Sequence, residues 1–333
     1  MNVIANSSVL FKSLSVVNGS VWACGSSAHA ASCSLANAVT GKLSTQFEFP
    51  WDTITSAIVT SDNTKIMVSG RTVNNAGVIT SEVATCSVAF KQLSCAVKSF
   101  ASVDFFKASY NAYGQKFVYA GQNADRAAVS LFDANNNSVR SFVYSAASMS
   151  ALTLSHVESP PNFVGSFVAG TSVSSGAVAA KNIVAGWLRT DSGQMAATIG
   201  ITPVSGSIVS TTGLVNALAL EEIGPDSFIA GRLHLSDSAG AHAYVVRANS
   251  LYRTAQFGVR YVPQITQQRR QLSTTNAVTS SVARGLALSG GALFMIADVV
   301  HVNINRTSLA VLKIHMDTGA VIKQAVVSAP SAD

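Results

Sequence analysis

Carboxylates that could serve as catalytic acids are few in this sequence. The chain has 16 Asp and Glu residues among 333, and those near predicted strand ends are Asp52, Asp104, Glu221, Glu222 and Asp226. Glycoside hydrolysis needs two carboxyl groups held about 5 to 10 Å apart. The one local acidic cluster, "EEIGPD" at 221–226, falls in a predicted turn between two strands, where we expect it to be solvated. We therefore expect no catalytic residue and no enzyme activity.

Histidines and serines, the other common catalytic groups, also form no recognisable site. The six histidines show neither H-E-x-x-H nor H-x-H spacing, and His301 and His315 are interpreted as surface or loop residues. The G-x-S-x-G turn of serine hydrolases is missing, as is a glycine loop that would hold phosphate. The sequence predicts no metal-binding residue, no cofactor-binding residue and no cofactor.

The four cysteines form two similarly spaced pairs. Cys24 and Cys33 are nine residues apart, and so are Cys86 and Cys95. The strands predicted below place each pair on adjacent antiparallel strands, where the Cα separation suits a disulfide. Closing a loop of this size stabilises the fold by roughly 3 kcal/mol. Four buried free thiols are the alternative, whereas a zinc site is not expected because the C-x2-4-C spacing is missing.

Four Asn-x-Ser/Thr sequons, at Asn6, Asn18, Asn136 and Asn305, are candidate N-glycosylation sites. Asn18 and Asn136 fall in predicted turns, where a glycan can be carried at the surface. Together with the cysteine pairs, the sequons indicate an oxidising secretory route. The first residues, "MNVIANSSVLF", lack the basic segment and apolar core of a signal peptide. We expect an extracellular or cell-surface protein whose leader is absent from this numbering.

Charge and hydropathy argue against a nucleic-acid partner and against a membrane-spanning segment. Only 11% of residues are charged, against about 25% in a typical soluble protein. The net charge is +6, but the one basic cluster is "QQRRQ" at 267–271, whereas nucleic-acid binding concentrates basic residues on one face. Mean hydropathy is +0.33, yet the longest apolar stretch, at 290–297, ends at Asp298. That is short of the roughly 18 residues a membrane span needs.

A tetrapeptide of two hydrophobic residues, a small residue and Gly recurs along the chain. The copies are "WACG", "MVSG", "VYAG", "FVAG", "FIAG" and the variant "MIAD", and they end at Gly25, Gly70, Gly121, Gly170, Gly231 and Asp298. Their last residues are separated by 45, 51, 49, 61 and 67 positions. A repeat near 40 to 50 residues is typical of β-propeller blades. The Gly is interpreted as the end of the second strand, where backbone approaches a neighbouring sheet.

The residues around each copy predict a four-stranded unit. An alternating run and a turn such as "NGS", "SDN" or "SGG" precede the tetrapeptide, and a third apolar run and often a Gly turn follow it. We therefore predict an all-β chain forming one six-bladed β-propeller over residues 1–333, with a β-solenoid or a seven-bladed propeller as alternatives. The predicted blades are 8–50, 53–100, 101–147, 150–204, 213–262 and 279–329, with a long polar loop at 263–280.

The sixth copy resembles a known class of repeats. "GLAL…ALFMIAD…SLAVLKIHMDTGAV" is similar to the bacterial-type propeller repeats called SBBP or delta-60 repeats, with Lys313, Asp317 and Gly319 at the Lys–hydrophobic–Asp–x–x–Gly turn. The fourth copy matches at Asp191 and Gly193 and the first at Gly41, while the sixth lacks the Gly that ends its second strand. The resemblance implies architecture and not activity, because one fold serves many functions.

Three hypotheses for function follow. The first is a non-catalytic extracellular propeller that acts as a structural or adhesive assembly module of a surface coat, filament or appendage. Its partners would be other protein subunits, with glycans as a further candidate. The second is a carbohydrate-active or hydrolytic propeller with acids converging in an axial funnel. Attachment of a virion or phage fibre is a third alternative. A glycan site would need exposed aromatics, for which Trp51 is the candidate, whereas Trp22 and Trp187 are predicted core residues.

Overall fold

The computed structural model describes residues 10–27, 30–60, 62–89, 92–134, 138–146, 148–160, 163–175, 181–203, 207–217, 226–234, 240–249, 254–261, 279–301 and 306–328. These residues form twenty-four β-strands in six antiparallel sheets of four strands each. They contain no helix long and apolar enough to cross a membrane.

Each sheet is built from four consecutive strands. The first sheet contains β1 (Leu10–Val17), β2 (Ser20–Ser26), β3 (Ala31–Asn37) and β4 (Leu43–Phe49). The second contains β5 (Thr53–Val59), β6 (Lys65–Val73), β7 (Ile79–Ala89) and β8 (Gln92–Ala101). The third contains β9 (Val103–Asn111), β10 (Lys116–Asn123), β11 (Arg126–Asp133) and β12 (Val139–Tyr144).

The remaining three sheets have the same strand order. The fourth contains β13 (Met149–Glu158), β14 (Gly165–Ser174), β15 (Lys181–Arg189) and β16 (Met195–Ile201). The fifth contains β17 (Ser207–Ala217), β18 (Asp226–His234), β19 (Ala241–Asn249) and β20 (Thr254–Tyr261). The sixth contains β21 (Thr279–Ser289), β22 (Ala292–His301), β23 (Arg306–His315) and β24 (Val321–Ser328). The fold is a six-bladed β-propeller, as the repeat predicts.

The chain divides into two compact units. The first comprises Met1–Ala146, Leu152–Ser166 and Arg189–Gln194, and the second comprises Ala147–Ala151, Phe167–Leu188 and Met195–Asp333. The first unit holds the first three sheets, and the second holds the fifth and sixth. Whether residues 1–333 behave as one domain in solution stays a prediction.

Three of the tight turns share one geometry. Gly41, Gly193 and Gly319 have φ between 66° and 75°, a left-handed conformation that Gly adopts without strain. Each donates its N–H to the carbonyl oxygen four residues earlier, as Gly319 does to His315 at 2.9 Å. These turns join the third and fourth strands of the first, fourth and sixth sheets. They are the Gly turns that the sequence predicts at these positions.

In the first unit, apolar side chains pack between the faces of successive sheets. Trp22 of β2, which is 1% exposed, lies in a core with Ile54 and Ile66 of the second sheet. The opposite face of the second sheet contributes Met67 to a core with Phe117 of the third. A fully buried side chain of this size contributes about 1.5 to 3 kcal/mol. The central strands are therefore apolar on both faces.

The second unit is packed in the same way. Phe228 and Val245 of the fifth sheet share a core with Met295 and Leu312 of the sixth, and each of these four side chains is at most 1% exposed. Trp187, a predicted core residue, is half-buried on β15. Its ring stacks on that of Phe167, with centroids 6.2 Å apart.

The recurring Gly has a different role from the one predicted. The second strand continues past it, because β10 extends beyond Gly121 to Asn123. Gly121 pairs with Phe105 of β9 next to a β-bulge, in which Phe106 is the extra residue. A Cβ added to Gly121 would lie 2.1 Å from the Asp104 carbonyl oxygen. At Gly121 the backbone that approaches the Gly is therefore the first strand of its own sheet, and for this copy the prediction that the Gly closes the strand against a neighbouring sheet is wrong.

Candidate functional site

The structure joins the cysteines into the two predicted disulfides. Cys24 on β2 lies directly opposite Cys33 on β3, with Cα atoms 4.1 Å apart. Cys86 on β7 lies directly opposite Cys95 on β8, at 4.0 Å. Cys24, Cys33 and Cys86 are fully buried in the core between the first and second sheets. Each disulfide therefore cross-links two adjacent strands, and such bonds persist in oxidising compartments.

Serine hydroxyls connect the first strands of successive sheets. The Ser13 hydroxyl donates to the Ala57 carbonyl oxygen at 2.6 Å. The Ser56 hydroxyl accepts from the Ala108 N–H at 3.0 Å. The Ser109 hydroxyl likewise accepts from the Ser159 N–H, also at 3.0 Å. Sequence reasoning missed these links, although a Ser inside each short first strand was a visible signal.

Two carboxyl groups lie on the first strands of the first unit, and each faces a cation. Asp104 on β9 is 3.3 Å from the guanidinium of Arg71. Burial raises the pKa of the Asp104 carboxyl, and the Arg71 charge opposes that shift. Glu158 on β13 interacts with Lys107 on β9. Burial raises the pKa of Glu158 and lowers the pKa of Lys107, and the attraction between their charges opposes both shifts.

This arrangement does not suit glycoside hydrolysis. A hydrolase of that kind uses one carboxyl as the acid and a second as the base or nucleophile. In the described first strands β1, β5, β9 and β13, each carboxyl faces a basic side chain. The sequence could not reveal the interaction of Lys107 with Glu158, because the two residues belong to different sheets.

The other predicted carboxylates are not brought together among the described residues. The Asp52 carboxylate accepts from the Val73 N–H at 2.7 Å and so fixes the end of β6. Asp226 is the first residue of β18, and its side chain lies outside the described residues. Glu221 and Glu222 also lie outside them. Most of the predicted turn at 221–226 lies outside the described residues, and Asp226 belongs to β18.

The histidines of the described ranges belong to no metal-binding cluster. His315 is exposed at the end of β23, where its Nδ1 accepts from the Asp317 N–H at 3.2 Å. The His301 side chain lies outside the described residues. Within the described ranges, no group of three or more His, Cys, Asp or Glu side chains could hold a metal ion.

Trp51 is a buried residue and not an exposed platform for a sugar. It is 5% exposed, between β4 and β5. Its ring stacks on Phe49 with centroids 4.7 Å apart and covers Gly70, where an added Cβ would lie 2.1 Å from the indole. Its Nε1–H donates to the Glu82 carboxylate at 2.5 Å. The candidate glycan-binding role of Trp51 is therefore not supported by its geometry.

An exposed apolar row crosses the first sheet on the face opposite Trp22. Val16, Val21, Ala36 and Leu43 are directly paired across the four strands. Directly paired residues point to the same face. Val16 is 64% exposed and Leu43 is 49% exposed, and Leu14 on the same face is 69% exposed. We call these five residues the first-sheet apolar face. Exposed apolar patches of this kind are typical of interaction sites.

One of the four sequons lies in the described part of the chain. Asn18 is exposed in the turn between β1 and β2, with φ 47°. A glycan there would project from the hairpin. Asn6, Asn136 and Asn305 lie outside the described residues, so glycosylation at all four sites stays a prediction.

Comparison with known proteins supports the fold and gives no family. No protein family profile matches the chain, and no curated protein matches it. Among solved structures, it is similar to hydrazine synthase of Kuenenia stuttgartiensis, with a TM-score of 0.59 and 13% identity over 93% of this chain and 79% of that one. It is also similar to U3-55K, with a TM-score of 0.57 and 8% identity over 97% of this chain and 84% of that one. At such identities the likeness supports the β-propeller fold alone.

Proposed function

We propose that this protein is a non-catalytic extracellular β-propeller that assembles with further copies of itself in a surface coat, filament or appendage. The observation that carries the proposal is the first-sheet apolar face, where Leu14, Val16 and Leu43 are each about half exposed or more. Covering one such side chain contributes roughly 1 to 2 kcal/mol, by the area it removes from water. A partner of the same chemistry is the occupant that fits this face.

A second apolar row lies on the sixth sheet and supports assembly between copies. Ile296, Val311 and Ala325 are directly paired across β22, β23 and β24. Ile296 is 43% exposed, and Leu309 on the same face is 40% exposed. In a closed six-bladed ring the first and sixth sheets are neighbours, so these two faces can cover each other within one chain or, in a head-to-tail contact that generates closed rings or open filaments, between copies.

The low charge of the chain favours close association. Only 11% of residues are charged, and the net charge is +6 on 333 residues. Mutual repulsion between copies is therefore weak, and it is screened further at physiological salt. Polar Ser, Thr and Asn side chains, which predominate over Lys and Glu, are compatible with a surface that lies against neighbours.

The head-to-tail contact is tested with a matched pair of variants. Val16→Asp disables the first-sheet apolar face, and Ile296→Asp disables the row on the sixth sheet. We expect wild-type protein to form larger species as its concentration rises in light scattering, whereas each variant stays monomeric. Mixing the two variants should give a one-to-one heterodimer, because each retains one competent face. Val97→Asp, at a position that is 54% exposed on β8, is the control and should assemble like wild type.

The outcomes separate the alternatives. A wild-type protein that is monomeric at every concentration overturns self-assembly. Loss of assembly in Val97→Asp as well indicates nonspecific association. If the two variants stay monomeric when mixed, the two apolar faces do not bind each other, and the head-to-tail contact is excluded.

The extracellular location rests on the two disulfides. It is tested by the intact mass of natively isolated protein before and after reduction and N-glycosidase treatment. We expect a deficit of four hydrogens for two disulfides, with glycan mass at Asn18. Four free thiols and a bare mass would contradict secretion and favour a virion or intracellular location.

The type of propeller repeat and the hydrolase alternative belong with this proposal. The three Gly turns at 41, 193 and 319 favour kinship with SBBP-type repeats, which a matching family of homologous sequences would test.

Hydrolysis is not favoured, because Asp104 and Glu158 each face a cation and not another carboxyl. Activity lost on Glu158→Gln, measured on a panel of glycosides, would reverse that judgement.

A further inference from the structure

The two disulfides differ in their exposure to solvent. Cys24, Cys33 and Cys86 are each 0% exposed, whereas Cys95 is exposed. Both pairs are separated by nine positions in the chain, and both join directly opposite residues of adjacent antiparallel strands. The two bonds therefore have the same local connectivity, and accessibility is the property that distinguishes them.

The first disulfide is covered by strands on both sides. Cys24 and Cys33 lie on β2 and β3, the two central strands of the first sheet. Cys24 is paired with Ser13 of β1, and Cys33 is paired with Phe47 of β4. An external molecule can therefore reach neither sulfur without opening the sheet or the core that it faces.

The second disulfide runs from the core to the edge of its sheet. Cys86 lies on β7, a central strand, and belongs to the core between the first and second sheets. Cys95 lies on β8, the last strand in the order of the second sheet. Val97, two residues farther along β8 and therefore on the same face, is 54% exposed. This face of β8 is open to solvent beside the Cys95 side chain, whereas Cys86 is enclosed.

An exposed disulfide sulfur is the one that an external thiolate can attack. Access decides which of the two sulfurs is attacked in thiol–disulfide exchange. We propose that Cys95 is a thiol-exchange site, which accepts the sulfur of a small thiol of the glutathione class, with Cys86 as the leaving and resolving thiol. The Cys24–Cys33 disulfide remains intact in the folded protein. The site uses neither apolar face, so it is independent of self-assembly.

The exchange takes place in two balanced steps. The external thiolate attacks the Cys95 Sγ and forms a new S–S bond, while the Cys86–Cys95 bond breaks and its electron pair passes to the Cys86 Sγ, which takes a proton from water. A second thiolate then attacks the sulfur of the bound thiol, which releases a small-molecule disulfide and leaves both cysteines reduced.

Cys86 can also reverse the first step. Its Cα lies 4.0 Å from that of Cys95, so its thiolate can attack the Cys95 Sγ again and expel the bound thiol. This return is intramolecular and is favoured by proximity. The mixed disulfide is therefore short-lived in the wild-type protein and accumulates only when Cys86 is removed.

The site is tested by adding reduced glutathione to the folded full chain and quenching with N-ethylmaleimide at successive times. Peptide mass spectrometry measures the reduced fraction of each pair. We expect Cys86–Cys95 to be reduced at least about a hundredfold faster than Cys24–Cys33, because the buried bond reacts only when its sheet opens. In guanidinium, where access is equal, the two rates should agree within about threefold.

Two single substitutions identify the sulfur that is attacked. Cys86→Ser and Cys95→Ser remove the same disulfide, so both lose the same loop closure and each leaves one free thiol. We expect oxidised glutathione to form a mixed disulfide with Cys95 in Cys86→Ser at least about tenfold faster than with Cys86 in Cys95→Ser. Circular dichroism checks that both variants are folded.

Three results would overturn the proposal. Equal reduction rates of the two bonds in the folded protein would show that global unfolding controls both. Resistance of Cys86–Cys95 to glutathione in the folded protein would show that the Cys95 sulfur is out of reach. Equal reaction of the two variants would show that access does not select Cys95. If the variants do not fold, the comparison of the two wild-type disulfides decides alone.

Discussion

The bulge in the third sheet gives a sharp prediction about one methyl group. Gly121→Ala places a Cβ 2.1 Å from the Asp104 carbonyl oxygen and 2.9 Å from its carbonyl carbon, whereas real Cβ contacts stay above 3.0 Å. The oxygen belongs to the backbone of β9 and cannot rotate away. The first strand must therefore shift by about 1 Å, which disturbs the bulge and its pairing with β10.

The cost follows from two effects. Overpacking of this kind costs about 1 to 3 kcal/mol, and each weakened strand hydrogen bond adds about 0.5 to 1.5 kcal/mol. Replacing Gly by Ala returns about 0.4 to 1 kcal/mol through the unfolded chain. We expect Gly121→Ala to lower the free energy of unfolding by about 3 kcal/mol in total.

Gly200→Ala is the matched control. Gly200 lies in β16, and no atom comes within 4 Å of an added Cβ there. We expect this variant to be more stable than wild type by up to about 1 kcal/mol. Guanidinium unfolding of the two variants, with disulfides intact and m-values compared, measures the difference. A Gly121→Ala protein as stable as Gly200→Ala would refute the assignment of the Gly to the bulge.

Three further predictions concern the core and one turn. Replacing both Cys24 and Cys33 by Ala should lower the free energy of unfolding by about 2.5 kcal/mol through lost loop closure. Melting with and without reductant checks this: reductant should lower the melting temperature of wild type by more than that of the variant, which keeps the Cys86–Cys95 disulfide, and equal drops would contradict it. Tyr119→Phe should leave the free energy of unfolding unchanged or raise it by up to about 2 kcal/mol, because the Tyr119 hydroxyl is buried without a partner. A clearly lower free energy of unfolding in a urea titration would show that this hydroxyl does make a hydrogen bond. The Arg189 guanidinium lowers the pKa of Asp191 from 3.8 to about 2, so its stabilising effect is present above pH 4 and is lost as pH falls toward 2. Asp191→Asn should flatten that part of the unfolding profile, and an unchanged slope between pH 4 and 2 would contradict the pairing.

Local chemistry explains why the blades could be predicted from sequence. Gly turns such as that at Gly319 and the alternating runs before them are encoded by residues that are adjacent in the chain. The disulfides were predictable for a related reason, since Cys24 and Cys33 lie on strands joined by a short loop. Each of these features depends on one sheet alone.

Features that depend on two strands of distant sequence could not be read in this way. The electrostatic interaction of Lys107 with Glu158 joins different sheets, and their spacing in the chain carries no periodic signal. The first-sheet apolar face was hidden for another reason. Val16 and Leu43 have the same alternation as buried strand residues, and only the packing around them shows that they are exposed.

The variant "MIAD" shows why two copies of the tetrapeptide, those ending at Gly121 and Gly231, need Gly and the sixth does not. In the third and fifth sheets, Gly121 and Gly231 pair with the residue just before the extra residue of the bulge. An added Cβ would there meet a backbone oxygen at 2.1 Å and 2.0 Å, respectively. In the sixth sheet the extra residue is Arg284. It comes later in β21 than the two residues that pair with Ala297 and Asp298. The bulge has moved one pair along the strand, so position 298 is free to carry a side chain, and its carboxylate binds the bulged Arg284. At positions 121 and 231 the Gly is therefore required by the position of the bulge and not by the end of the strand, whereas Gly70 leaves room for the Trp51 ring.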